Sequence, residues 1–344
     1  PLRRDARPGG AHGGTYVAAV ARRLARDFAP LRSGVRVLST STLPRSAGLS
    51  SSSAFVTLLA LAVAEANELE ARPEWQRHLS SRLAFAEYCG AVEMGAPFGP
   101  WAGERGVGTR GGAQDHVAIL CNEVGTVGAF RYLPAALMGQ ATFPKHWRIL
   151  VAVSGVRATK TGGAQADYNR AADLVRALVQ RWNRATERSD VALADVLASS
   201  PDAADRLERL AYGFDDAPWA LARLAQFRRE TEAVVPGALA AISAADGAAL
   251  GRWAVESQQG AETALRNQVP ETSFLARAAM ASGAHAASAF GAGFGGAVWA
   301  IADADVADEV TARWSAAYRE AFPARAGKAE WFTMRPEAGV RWLA

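Results

Sequence analysis

The sequence is short of cysteine. Only Cys89 and Cys121 occur in 344 residues, with no CxxC between them. That excludes a disulfide framework and a thiolate zinc site, and it predicts reduced, mostly buried thiols in a cytoplasmic chain. Long apolar runs are also missing. The longest, Ala54–Ala64, is too short to span a bilayer and runs into Glu65 and Asn67, so no membrane partner is expected. Charge of one sign is not in excess: 38 Lys and Arg stand against 34 Asp and Glu, a net +4. A balance so small and so spread does not argue for nucleic acid, although it suits an anionic ligand such as a nucleotide. The opening "PLRRDARPGG" lacks the apolar centre of a signal peptide. It starts with Pro1 rather than methionine, so the natural N-terminus is expected to lie upstream. There is no internal repeat.

What is present is ample apolar material, 50% of the residues, enough for two domains. Helical spacing marks Gly13–Phe28, with Val17, Val20 and Leu24 on one face. "VRVL" (35–38) reads as a strand, Ser52–Asn67 as a helix and Glu74–Glu93 as another. "GAPFGPWAGERGVGTRGGAQD" (95–115) is a glycine-rich segment of the length that is usually functional or disordered. "RILVAVSGV" (148–156) is a buried strand, and the domain boundary is placed just before it, giving domains 1–146 and 147–344. An amphipathic helix over 167–182, Ala/Leu/Arg helices over 190–280, a glycine loop running into a strand (290–303) and a last strand (331–336) complete the reading.

Three stretches carry candidate chemistry. "GLSSSSAF" (48–55) puts glycine and serines directly before an apolar helix. Backbone amides at a helix start bind phosphate, and serine hydroxyls add hydrogen bonds or a Mg²⁺ contact; a plain serine cap fits as well. It is not GxxxxGK[ST], since no lysine follows. "GTRGGAQDH" (108–116) presents Asp115 at the end of a flexible glycine segment, either as an acceptor for a substrate hydroxyl proton or as a helix cap. "FGAGFGGAVWA" (290–300) has glycines at 291, 293, 295 and 296, which permit close approach of a ligand or only a tight turn.

Taken in order, Pro-x-x-x-Gly-Leu-Ser-Ser-Ser, Gly-Gly-x-x-Asp and Gly-x-Gly-Phe-Gly-Gly resemble the GHMP kinases, and within them the galactokinase branch. "VSGVRATKTGGAQADYNRAADLV" (153–175) and "PETSFLARAA" (270–279) add to the likeness, which runs from about residue 14 onward. The resemblance implies a two-domain α+β fold, an N-terminal ribosomal-protein-S5-like α/β domain and a C-terminal ferredoxin-like α+β domain. It implies ATP and Mg²⁺, a small-molecule sugar phosphorylated at the anomeric C1 hydroxyl, and a monomer. By position it assigns Pro44, Gly48, Leu49, Ser50, Ser51, Ser52 and Ser53 to the ATP phosphates and Asp115 to the catalytic base. Gly112, Asp115, Tyr168, Gly293 and Gly295 fall to the substrate. Ser52 and Glu93 fall to Mg²⁺, with Glu87 as the second choice. Ser53 replaces an alanine often found there. His116, Arg157 and Lys160 are read as solvated or structural. Two departures stand out. The family's opening motif, an arginine beside the base and a Glu-His-x-Asp group for the sugar hydroxyls, is missing, so a truncated chain is expected. The segment from Glu93 to Asp115 is longer than in galactokinases, which puts galactose itself in question. Two other readings stay open: a silent nucleotide- and sugar-binding sensor, or a kinase of the same superfamily acting on another small molecule.

Overall fold

The computed structural model describes residues 12–44, 46–108, 111–158, 165–291 and 293–342. They form two compact α+β units, each described in turn. The first takes in the chain before residue 45, Leu49–Gly139 and the stretch from Pro336; the second takes in Ser46–Gly48 and Gln140–Arg335. The chain thus passes from one unit to the other at Gly139–Gln140, a little before the boundary read from the sequence. No described helix is long and apolar enough to cross a membrane.

Five helices build the first unit: α1 (His12–Asp27), α2 (Ser51–Ala66), α3 (Pro73–His78), α4 (Arg82–Met94) and α5 (Gln114–Cys121). Their apolar faces meet in a core that includes Leu24, Phe28, Val56, Leu69, Trp75 and Tyr88. Val17, expected on the buried face of α1, is exposed instead. The single helix expected over 74–93 is broken between α3 and α4, because Ser81 starts a new one by accepting from the Ala84 amide (3.1 Å). The strand expected at 35–38 does not form. The segment joins no sheet among the described residues, and Leu38 is 96% exposed. The unit's strands are a hairpin the sequence reading did not anticipate, β1 (Thr126–Tyr132) and β2 (Ala135–Thr142). Residues 336–340 pack back on α5: the Gly339 amide donates to Asn122 O (2.7 Å) and the Val340 amide to Ile119 O (2.8 Å). Only glycine fits at 339, where a β-carbon would lie 2.6 Å from Leu120 O.

The glycine-rich segment after α4 is pinned rather than flexible. The Glu104 amide bonds Gly95 O (3.1 Å), the Val107 amide bonds Glu93 O (2.9 Å), and Phe98 and Trp101 exchange backbone bonds (2.9 Å). Three arginines of α1 fasten it from one side. Arg23 donates to Ala96 O (2.7 Å), Arg26 to Ala102 O and Gly103 O, and Arg22 to Arg105 O (3.3 Å). Trp101 lies against Phe28 and Tyr88, with centroids at 5.1 and 5.5 Å. The glycines at 95, 103 and 106 serve close backbone packing, since a β-carbon at any of them would strike main-chain atoms of the same loop and its neighbours.

Cys89 and Cys121 are both free thiols. Burial pushes the Cys89 thiol well up, with the Glu93 carboxylate adding to the shift, and Cys121 is raised less. A thiol-alkylating reagent at neutral pH is therefore expected to label Cys121 slowly and Cys89 only after unfolding, as read by peptide mass spectrometry.

The second unit carries a four-stranded antiparallel sheet in the order β4 (Ala286–Ala289), β5 (Ala297–Asp303), β3 (Trp147–Val153), β6 (Glu330–Met334). Val151 of the central strand faces Trp299 on one side and Phe332 on the other. Helices α12 (Pro270–Ala281) and α13 (Ala307–Ala321) bury Leu275, Trp314 and Tyr318 against it. A second core, around Trp182, Leu207 and Leu224, joins α6 (Gln165–Thr186), α7 (Leu193–Ala198), α8 (Ala203–Ala211) and α9 (Ala217–Arg229). Helices α10 (Val235–Ser243) and α11 (Gly247–Gly260) complete the unit.

Candidate functional site

The glycine-serine loop is built from left-handed backbone. Ser46, Gly48 and Ser50 have φ of 55°, 72° and 58°, a conformation that costs the two serines energy and that tends to persist where function requires it. Ser50 caps α2 without any side-chain hydrogen bond, and the first turn of α2 holds no acidic residue. The result is a 16-residue helix whose first turn is built from Ser51, Ser52 and Ser53, so that its leading amides and its serine hydroxyls lie together at the positive end of the dipole, the arrangement that holds phosphate.

Inside the second unit the leading part of this loop meets the third glycine motif. The Ala158 amide donates to Ser46 O (2.8 Å), and a β-carbon on Gly296 would lie 2.7 Å from Ala47 O. Gly296 is in turn tied to the end of β3: its amide donates to Val156 O, and its carbonyl accepts from the Ser154 amide and hydroxyl (2.9, 2.9 and 2.7 Å). Gly293 presses on Asn267, and Gly295 on Val156. These three glycines therefore admit the chain's own backbone, and only Gly291 of the set has open space where a side chain would be.

The acidic part of the site lies wholly in the first unit. Gly90 brings α4 against the start of α5, since a β-carbon there would sit 2.8 Å from Ala113 Cα. This close approach sets Glu93, Asp115 and His116 side by side. Glu93 Oε2 accepts from the Ser53 hydroxyl (2.9 Å) and from His116 Nε2 (2.8 Å). The same hydroxyl is 3.4 Å from Asp115 Oδ2. His116 is fully buried, and its Nδ1 lies 3.0 Å from the Thr57 hydroxyl. In the neutral ring this network puts the proton on Nε2, facing the carboxylate, so that Nδ1 accepts from Thr57. Asp115 occupies the first turn of α5 rather than its cap, which is Ala113; the helix dipole favours its charge there. Burial, and then the Asp115 charge, pushes the Tyr132 phenol up. Gly112, with φ of 72°, donates its amide to the Met94 sulfur (3.1 Å) and has open space where a side chain would be.

A single hydroxyl between two carboxyl groups is a cluster of oxygen donors, which suits a hard cation such as Mg²⁺. Among the described residues no three or more His, Cys, Asp or Glu side chains could hold a metal unaided. Mg²⁺ commonly takes one or two carboxylates and draws the rest of its ligands from phosphate and water.

Of the residues singled out in the sequence, Glu93 and Asp115 are thus brought to one place. The serine beside them is Ser53; Ser52, one position earlier, is half-buried. Glu87 accepts from the Ala135 amide (3.2 Å). Pro44 and Leu49 lie half-buried in the loop. Tyr168 belongs to α6, but its side chain lies outside the described residues, as does Lys160. Sequence reasoning missed the part played by Thr57 and His116. A signal was available: Ser53 and Thr57 are four apart on α2 and so share a face, and His116 directly follows the aspartate.

Comparison with known proteins gives two matches to family models, GHMP kinases N terminal domain over residues 15–96 and GHMP kinases C terminal over residues 238–320. A galactokinase from Streptomyces coelicolor is 29% identical over 319 residues, spanning 90% of this chain and 71% of that protein. Among solved structures, Lactococcus lactis galactokinase complexed with galactose superposes with a TM-score of 0.72 at 18% identity, covering 98% of this chain and 78% of its own. Homoserine kinase from Cytophaga hutchinsonii gives 0.51 at 15%, with coverages of 97% and 80%. These two likenesses establish the two-domain fold.

Proposed function

We propose that this chain, which belongs to the GHMP kinases, transfers the γ-phosphoryl group of ATP to a monosaccharide hydroxyl, that of the anomeric carbon in galactose or a related sugar. The observation that carries the reading is the Ser53 hydroxyl set between Glu93 and Asp115. It joins a pair of carboxylates to the first turn of the uncapped helix α2. The similarity to a galactokinase supports the sugar as acceptor.

In this reading the amides and serines at 48–53 hold the phosphates. Asp115 accepts the proton of the sugar hydroxyl as that oxygen bonds to the γ-phosphorus and the bond to the β-phosphate oxygen breaks, releasing ADP. Most of the catalysis is positioning and electrostatics. Glu93 and Ser53 would hold Mg²⁺, which neutralises phosphate charge when bound. By the family resemblance, Gly112, Tyr168, Gly293 and Gly295 are assigned to the sugar.

The test is ADP release from ATP across a panel of hexoses, pentoses and uronic acids. Stimulation by one sugar is expected. ATP binding with no stimulation by any sugar, or stimulation only by a non-sugar alcohol, would replace this reading with a binding module or with another kinase of the superfamily.

A further inference from the structure

Resting on the kinase reading, we propose that Thr57 and His116 are positioning residues, a buried relay that holds the Glu93 carboxylate in place for a divalent cation. Every residue of the relay is buried. Thr57 is 1% exposed, His116 0%, Ser53 3% and Glu93 6%. Each link is a hydrogen bond of ordinary length: Thr57 to Nδ1 at 3.0 Å, Nε2 to Glu93 Oε2 at 2.8 Å, Ser53 to the same oxygen at 2.9 Å. The ring is held at both nitrogens, so its plane and its tautomer are fixed together. Two donors on one carboxylate oxygen then fix the rotamer of a side chain that otherwise has three free torsions.

The relay is more than core packing. An imidazole placed only to fill volume needs no carboxylate, and burying a carboxylate without compensation is costly. Here the carboxylate is compensated by two donors from different elements, α2 and α5. These same two elements contribute the serine run and Asp115, so the relay registers the phosphate-binding helix against the helix of the proposed base. Partners of this kind, one step removed from a metal, typically alter its affinity ten- to a hundredfold when removed, on the order of magnitude seen for outer-shell groups.

The experiment measures Mn²⁺ binding, by the loss of its free EPR signal, in the presence of ATP and without sugar. His116→Leu is expected to weaken Mn²⁺ by about tenfold or more. His116→Gln, which keeps an N–H donor for Glu93, is expected to recover most of that loss. Thr57→Val, which removes the hydroxyl with little change of volume, is expected to weaken Mn²⁺ by several-fold at an unchanged melting temperature; it decides the matter if His116→Leu does not fold. Wild-type affinity in folded His116→Leu or Thr57→Val, or a Gln variant no better than Leu, overturns the relay. So does a wild-type protein that takes up no Mn²⁺. The two readings fail separately. Sugar-dependent ADP release with Mn²⁺ affinity unmoved by the variants removes the relay alone. The expected Mn²⁺ pattern with no sugar-dependent release removes the sugar kinase alone.

Discussion

Asp115→Asn is expected to lose on the order of 10²–10⁴ of the sugar-dependent turnover, with little change in ATP affinity or melting temperature. The carboxylate and the amide have nearly the same shape, and Asp115 is half-buried in the first turn of α5 rather than enclosed in a packed core. The variant removes the one function the amide cannot supply, acceptance of a proton. It also leaves Ser53 its shorter bond to Glu93, at 2.9 Å against 3.4 Å to Asp115, so the Glu93 side of the site should keep its form. The measurement is kcat and KM for the best sugar, with ATP binding followed separately. Full turnover in the variant would remove Asp115 from the chemistry and leave its carboxylate with only an electrostatic part at the start of α5.

The largest expected effect on stability is at Asp27. Its side chain is fully buried, as is that of Arg23, and the two pair at i and i+4 on α1. Arg26 and the Tyr88 hydroxyl also reach the same carboxylate, at 2.8 and 3.0 Å. Burial first, and then the Asp27 charge, raises the Tyr88 phenol well above its ordinary range, so the phenol stays protonated and donates at any working pH. Asp27→Ala would leave a buried guanidinium facing no carboxylate, which costs roughly 3–5 kcal/mol where one partner of a buried pair is removed. The damage would reach the glycine-rich loop, because Arg23 and Arg26 hold Ala96, Ala102 and Gly103 by their carbonyls. A large fall in the urea midpoint is expected, with Asp27→Asn in between. A midpoint within experimental error of wild type would mean that the aromatic packing of Trp101 holds the loop alone.

How much of this could be read beforehand depends on whether the signal was local. The loop before α2 was legible because glycine, serines and an apolar run follow one another directly, and β3 was legible as an unbroken apolar stretch. Glu93 and Asp115 could be picked out, but which serine hydroxyl stands between them, Ser53, could not. Which of several consecutive serines turns inward depends on how α2 is rotated against α4, and residue type alone does not fix that. The 35–38 segment shows the converse: apolar alternation is not a strand without a neighbour to bond. The 95–108 loop was misread because its glycines look like flexibility. They serve close main-chain packing within the loop, and the arginines of α1 that pin it lie more than seventy residues away in sequence. The hairpin of β1 and β2 escaped notice because neither strand buries a full face, so its period is weak.

The packing of residues 336–340 on α5 has a consequence for the order in which the protein is made. Asn122 and Glu337 are hydrogen-bonded across 215 positions of sequence. The carbonyls of Ile119 and Asn122, at the end of the helix bearing Asp115 and His116, likewise wait for the amides of Val340 and Gly339, which leave the ribosome long after the helix itself. At ordinary translation rates of about 5–20 residues per second that is an interval of roughly ten to forty seconds. During that time the first unit has its core but not its clasp. A nascent chain stalled short of residue 336 should then be the form of this protein most open to proteases near α5, and the addition of those last turns of sequence should close it.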